Sequence, residues 1–374
     1  MQNITTPEDA VRMPPLPAGV ELRRLVVPAS VDAPDAGDFV AMVAVRNAIY
    51  REINGHDDER MSPTELLPRF TKQRYERTLM WLVVDGGEIV GRASVELPLA
   101  DGSRVAFLNI ELLRRTWGRG IGSAAHALLV ATSVAHGRSV LQAWATHPDA
   151  PGSRLEPPTG FGSVPEDHAA RFLTSHGYTL EQIDRNSALV LDDRTKGHLT
   201  RLLADAQRAA AGYRIVQWTV PTPPTFVDGY GWMKSRMVTD APAAALEFDE
   251  EVWDADRVAE HDAQFTDAGL TAQITAAQHV ETGDLVAFNE LVIGNDRTEA
   301  THQEDTLVLA EHRGHRLGML VKCAGLLSWF DVAPHSPRVL TYNAEENRPM
   351  LDINEAIGFV PIAYDGAWKR TLTA

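Results

Sequence analysis

The stretch AEHRGHRLGML (310–320) sets two histidines, two arginines and two glycines between an alternating polar–apolar run, THQEDTLVLA, and an apolar run. In the latter, Leu317, Leu320, Val321, Ala324 and Leu327 recur at the spacing of one helix face. The first amides of a helix have no partner within it and lie at the positive end of its dipole, so a glycine-flanked turn leading into a helix suits a phosphate. Arg313 and Arg316 carry the planar donor fork that matches phosphate oxygens. The competing reading is a solvated basic turn capped by Gly314 and Gly318.

Groups that could move a proton flank this turn. The preceding run offers His302, Glu304 and Asp305, and strict alternation predicts His302 and Glu304 on one face and Asp305 on the other. Glu290, inside VAFNELVI, is a carboxylate among apolar residues, where desolvation would shift its titration and let it accept a proton. Tyr342, beside Asn343, is a candidate acid. Each has a plainer reading as a solvated strand-edge group or as packing. His312 and His315 are expected to flank phosphate or water, and no spacing of His and carboxylates indicates a metal site.

The elements that must position these groups occur twice. GGEIVGRASVEL (86–97) and TGDLVAFNELVI (282–293) both read as a tight turn feeding a strand, and Gly283 follows Gly87 by 196 positions. RRTWGRGIGSAAHALL (114–129) precedes AEHRGHRLGMLVKCAG by the same offset, with Gly118 over Gly314 and Gly122 over Gly318. Two separate segments sharing one offset indicate a duplication.

The first half reads as a strand (20–27), helices (38–52 and 63–77), three strands (80–84, 89–97, 104–113), a helix (119–136), a strand (139–145), a Pro/Gly-rich loop (146–165) and a short helix. The same order restarts at Tyr213. This predicts an α+β chain with a mixed sheet in each half: an N-terminal domain (1–191), a helical linker (192–212) and a C-terminal domain (213–374).

At 374 residues and 44% hydrophobic, the chain can bury two cores. A net charge of −16 argues against a general nucleic-acid or acidic-membrane surface, since both require a broad cationic face. The one cysteine, Cys323, excludes an internal disulfide framework and falls in the apolar helical run, where packing is expected. The polar, proline-rich start and the lack of a span-length apolar stretch predict a cytoplasmic protein.

VLAEHRGHRLG (308–318) resembles the pyrophosphate loop of the GNAT superfamily of acyl-coenzyme A-dependent N-acyltransferases. That loop usually runs Arg or Gln, two residues, Gly, one residue, then Gly or Ala. Arg313 takes the leading position and Gly318 the last, while Arg316 stands where the middle glycine is usual. In the first half, LLRRTWGRGIG keeps Gly118, Gly120 and Gly122, with Arg119 between them, but has Trp117 in the leading place. TYNAEENRPMLDINEAIGF is similar to the family's asparagine after the fifth strand, a helix, then Gly-Phe, with Asn343, Asn347 and Gly358-Phe359 in those positions.

The resemblance, over nearly the whole chain, implies two tandem GNAT-like domains, each a mixed, mostly antiparallel twisted sheet flanked by helices. It implies acetyl-CoA as cosubstrate, no metal, and an acetyl group passed directly to a primary amine of a small molecule. Backbone groups of Leu307, Val308 and Leu309 would contact pantetheine and the acyl group, and amides of Arg313, Gly314, His315, Arg316, Leu317, Gly318 and Met319 the pyrophosphate. Asn347 would contact the pantetheine arm; its other reading is a helix N-cap before Pro349. The family's usual tyrosine acid falls on Asn354, whose amide cannot serve as that acid, and on Leu173 in the first half. Because it has Arg313 and the whole asparagine-bearing helix, the second half is expected to be catalytic; the missing tyrosine motivates the alternative, a non-catalytic acyl-CoA sensor or scaffold.

Overall fold

The computed structural model describes residues 6–240 and 242–373. They divide into two units: unit 1 is Met1–Ile183 with Ala244–Asp249 and Asp365–Ala374, and unit 2 is Asp184–Ala243 with Glu250–Tyr364.

Unit 1 runs β1 (Val20–Arg24), α1 (Gly37–Asn54), α2 (Pro63–Leu66), α3 (Pro68–Thr71), β2 (Glu76–Asp85), β3 (Glu88–Pro98), β4 (Val105–Leu112), α4 (Ile121–Ala135), β5 (Val140–His147), β6 (Arg154–Leu155), β7 (Val164–Pro165), α5 (His168–Ser175) and the start of β8 (Thr179–Val190). β1 to β4 form an antiparallel meander, and β4 and β5 are parallel. Phe39, Met42, Val43 and Ile49 of α1 are buried at helical spacing. The single helix expected over 63–77 is two short ones. Ser62 and Glu65 form a capping box at the first, and Pro68, which has no amide to extend that ladder, opens the second. The Pro/Gly loop contains the small β6–β7 pair.

Unit 2 contains the remainder of β8, then α6 (Asp193–Ala209), β9 (Tyr213–Thr219), α7 (Val227–Asp240), α8 (Ala255–Asp267), β10 (Thr271–His279), β11 (Leu285–Ile293), β12 (Thr301–Val308), α9 (Leu317–Val332), β13 (Arg338–Ala344), α10 (Arg348–Ile357) and the start of β14 (Val360–Thr371). Its sheet order is β8-β13-β12-β11-β10-β9. The expected linker 192–212 is largely α6, whose Leu199 and Ala206 are buried in the core with Leu326 and Trp329 of α9. The division between the units falls inside β8 and β14, so the domain limits predicted at 191 and 213 do not coincide with it. No described helix is long and apolar enough to cross a membrane.

Two features of register prepare the site. Parallel pairing of β4 with β5 ends at Phe107↔Gln142, and that of β12 with β13 at Gln303↔Thr341, although all four strands run on. The β3/β4 ladder is regular from Glu96↔Phe107 to Gly91↔Leu112, whereas β12 carries one extra residue against β11, between Gln303 and Thr306. Such a bulge leaves a residue outside the ladder and re-aims its neighbours.

Candidate active site

Where β12 and β13 part, β12 leads through a short 3-10 turn (Ala310–His312) into α9. Gly314 has φ 89°, and Arg316, the residue before α9, has φ 56°. Leu320 is the first residue whose amide bonds back, to Arg316 O at 3.0 Å, so the amides of Leu317, Gly318 and Met319 precede the ladder. The space beside Gly318 is filled by α10, since a Cβ there would stand 2.8 Å from Ile353 Cδ1, so this glycine serves helix packing, and the left-handed turn and free amides are what bear on an anion. Those two features fit a phosphate group approaching the backbone closely. His312 is held by Tyr213, whose hydroxyl is 3.0 Å from His312 Nδ1.

The first-half loop is built alike. Gly118 and Gly120 have φ 72° and 82°, and Ala124 N bonds Gly120 O at 3.1 Å. Trp117 Nε1 donates to Leu112 O at 2.9 Å, as Arg313 Nε donates to Val308 O at 3.3 Å. Tryptophan thus preserves the arginine's bond to the end of the strand, though not its charge. Trp117 also stacks on His168, with centroids 4.2 Å apart, and Arg119 is ion-paired to Asp85.

On the α7 side of the unit 2 sheet lies a buried polar cluster. Lys234 of α7 donates to Glu290 at 3.3 Å and to Asp305 at 2.5 Å, and Tyr230 donates its hydroxyl to Glu290. The Lys234 ammonium also stands 4.8 Å from the Trp253 ring centroid. Burial pushes the Glu290 carboxyl above its ordinary range, Lys234 opposing that and Asp305 adding to it. Burial would lower the Lys234 ammonium, but Asp305 and Glu290 outweigh it and raise it instead.

The bulge corrects the alternation expected along β12. Register puts His302 opposite Val292, on the face of Glu290, and Asp305 reaches Lys234 on that same side. Glu304 is exposed. Lys234 and Tyr230 were not singled out from sequence; the signal was their four-residue spacing, which puts both on one face of α7.

On the β13 side, Asn354 is almost fully buried, and both ends of its amide are engaged. Its Oδ1 accepts from Lys322 Nζ at 2.7 Å, and its Nδ2 donates to Asn343 Oδ1 at 2.6 Å. The residue in the acid's position is therefore part of a structural chain. Burial lowers the Lys322 ammonium to about 7. Tyr342 is 40% exposed, and its hydroxyl accepts from Asn186 Nδ2 at 2.8 Å. Asn347 stands at the N-cap position of α10 with Pro349 in the first turn, as the sequence suggests, but its side chain makes no capping hydrogen bond.

The corresponding face of unit 1 is occupied differently. Glu111 accepts from Arg92 Nη2 at 2.9 Å, Asn109 at 2.8 Å and the Tyr50 hydroxyl at 3.1 Å. Burial alone would push Glu111 up, but Arg92 outweighs it and holds the carboxyl low, while the Glu111 charge and burial push Tyr50 up to about 12. A carboxylate fixed by an arginine is a poor proton acceptor.

No family model and no curated protein matches the sequence. Solved structures do match. A tandem GNAT protein from the clavulanic acid biosynthesis pathway, determined without AcCoA, is 24% identical, with 95% of this chain and 99% of that one aligned at TM-score 0.71. A GCN5-related N-acetyltransferase from Sphaerobacter thermophilus is 14% identical, over 96% of this chain and 98% of that one, at TM-score 0.61. At these identities the likeness is one of fold, and it spans both halves.

Proposed function

We propose that this chain, which has the tandem GNAT fold, is an N-acyltransferase whose second half moves an acetyl group from acetyl-CoA to a primary amine of a small molecule. The observation that carries this is the parting of β12 from β13 after Gln303 and Thr341, next to the glycine-flanked turn into α9. Strands that part leave backbone donors and acceptors for an extended arm, and the helix start supplies amides for a pyrophosphate. When bound, acetyl-CoA supplies an activated acyl group.

In this reading Leu307 to Leu309 line the arm, and the amides of 313–319 hold the phosphates. In the same reading, an amide that the bulge at Glu304–Asp305 takes out of the ladder would stabilise charge on the thioester oxygen. The attacking amine must be neutral, and Glu290, with its raised affinity for a proton, is the acceptor we favour, Lys234 and Tyr230 fixing its orientation. The acid we favour for the departing thiolate is the Tyr342 hydroxyl, which is partly exposed beside Asn343 and accepts a hydrogen bond from Asn186.

Engagement of Asn354 by Lys322 and Asn343 favours a second reading, an acyl-CoA-binding module without turnover. One experiment separates the two: thiol release from acetyl-CoA against a panel of small primary amines, with Gly318→Glu and Gly122→Glu alongside. The transferase reading expects amine-dependent release that Gly318→Glu abolishes and Gly122→Glu retains. Binding of acetyl-CoA with no amine-dependent release would favour the module.

A further inference from the structure

Six residues of the α7–α8 connection, Ala244–Asp249, belong to unit 1. They are held at the apex where β4 and β5 part. The Glu247 carboxylate takes Nε and Nη2 of Arg104, both at 2.8 Å, and Lys369 Nζ at 2.7 Å. The fully buried Gln142 completes the fastening in the manner of a neighbouring strand: its Oε1 accepts from Glu247 N at 2.7 Å, and its Nε2 donates to Glu247 O at 2.9 Å. The ring of Phe248 lies 6.1 Å from that of Phe107 at 25°, and 6.3 Å from Trp144.

Phe107 and Gln142 are the last paired residues of β4 and β5. Phe107 is opposite Glu96, and Arg92 is opposite Glu111, so the aromatic group sits on the sheet face that also carries the Glu111–Tyr50 bond to α1. In a GNAT-like cleft an acyl group would emerge at this apex, on this side, to meet its acceptor.

Extending to the similarly built first-half loop the cofactor placement argued for the second half under Proposed function, we propose that Ala244–Asp249 is a strap, latched by Glu247, that caps the first-half apex. The first half then holds coenzyme A without room for a long acyl chain or an amine. Burial would push the Glu247 carboxyl up, but its bonds to Lys369 and Arg104 prevail and keep it ionised, so the latch is closed at neutral pH.

The test uses the full chain with Gly318→Glu, which obstructs the second-half loop, compared with the same chain also carrying Arg104→Ala and Phe248→Ala. Calorimetric titration with coenzyme A and with octanoyl-CoA gives the ratio of the two affinities. Freeing the strap is expected to shift this ratio at least about tenfold toward octanoyl-CoA, because the capping contacts are lost while the loop is untouched. An unchanged ratio overturns the proposal, as does the absence of coenzyme A binding in both forms.

Digestion with a glutamyl endopeptidase is an arm independent of ligand: cleavage after Glu247 is expected to be about tenfold faster in Arg104→Ala or Lys369→Ala than in the parent chain. Equal rates mean that the segment is not latched. Failure of the second-half assignment looks different, as thiol release that survives Gly318→Glu with the strap intact.

Discussion

Arg316 and Gly120 hold the same place in the two halves, 196 positions apart, and both are left-handed, with φ 56° at the arginine and 82° at the glycine. Each is the residue before the long helix of its half. The missing glycine of the second loop is thus missing in sequence only; its backbone shape is imposed on an arginine. A side chain in that region costs about 1–2 kcal/mol, part of which glycine returns through its freer unfolded state. Arg316→Gly is therefore expected to raise the ligand-free melting temperature by about 2–4 °C. A lower melting temperature would mean that the arginine side chain contributes more than its backbone costs.

Lys322 is fully buried, and its one hydrogen bond among the described contacts is to Asn354. Its ammonium is lowered to about 7 by burial. For a base with a depressed folded value, the unfolded chain binds more protons between that value and the ordinary lysine range. Stability should therefore rise as pH increases from about 7 towards about 10. Replacing both partners by apolar residues, Lys322→Met with Asn354→Leu, removes the penalty without leaving an orphaned amide. The double variant is expected to melt higher than the parent at pH 7 and to lose the upward slope. A parent profile that is flat from pH 7 to pH 10 counts against a depressed lysine.

Much of this architecture was legible because it is written in periodicity. The two halves, the turn-strand pairs and both loops followed from Gly87, Gly118, Gly283 and Gly314, all left-handed in the structure. Glu290 could be singled out because a carboxylate in an otherwise apolar strand has few solvated alternatives. What could not be read arises from register and from long-range pairing. One extra residue in β12 moved Asp305 to the face of Lys234, and alternation has no way to signal an insertion. Asn354 matched a motif position, yet its environment is set by Lys322, 32 residues away in sequence. The Glu247–Arg104 pair spans 143 positions, a separation at which local pattern carries no information.

Lys234 holds two carboxylates, so its removal should be costly. Lys234→Met keeps the bulk of the side chain but leaves Glu290 buried without a cation, a loss of about 3–5 kcal/mol. The direction with pH follows from Glu290. Without Lys234 its folded value rises further above its unfolded value, so the variant loses stability as pH rises through the carboxylate range. Urea midpoints should therefore differ little from the parent at pH 5 and strongly at pH 8. Adding Glu290→Gln should restore much of the loss at pH 8, and equal deficits at both pH values would show that packing rather than charge is responsible.

The same carboxyl is the clearest link from electrostatics to rate. A proton acceptor must be ionised to work, so kcat/KM should rise with pH along a limb set by Glu290, and its elevation by burial moves that limb above the ordinary carboxylate range. Glu290→Gln retains the Tyr230 contact and the shape of the site but removes the acceptor. It is expected to lower kcat/KM by about 100-fold or more and to abolish the limb. Asp305→Asn is the control, since Asp305 is partly exposed and shares the same lysine. If the limb survives Glu290→Gln and disappears with Asp305→Asn, the acceptor is the bulge carboxylate, and Glu290 serves to hold Lys234 in place.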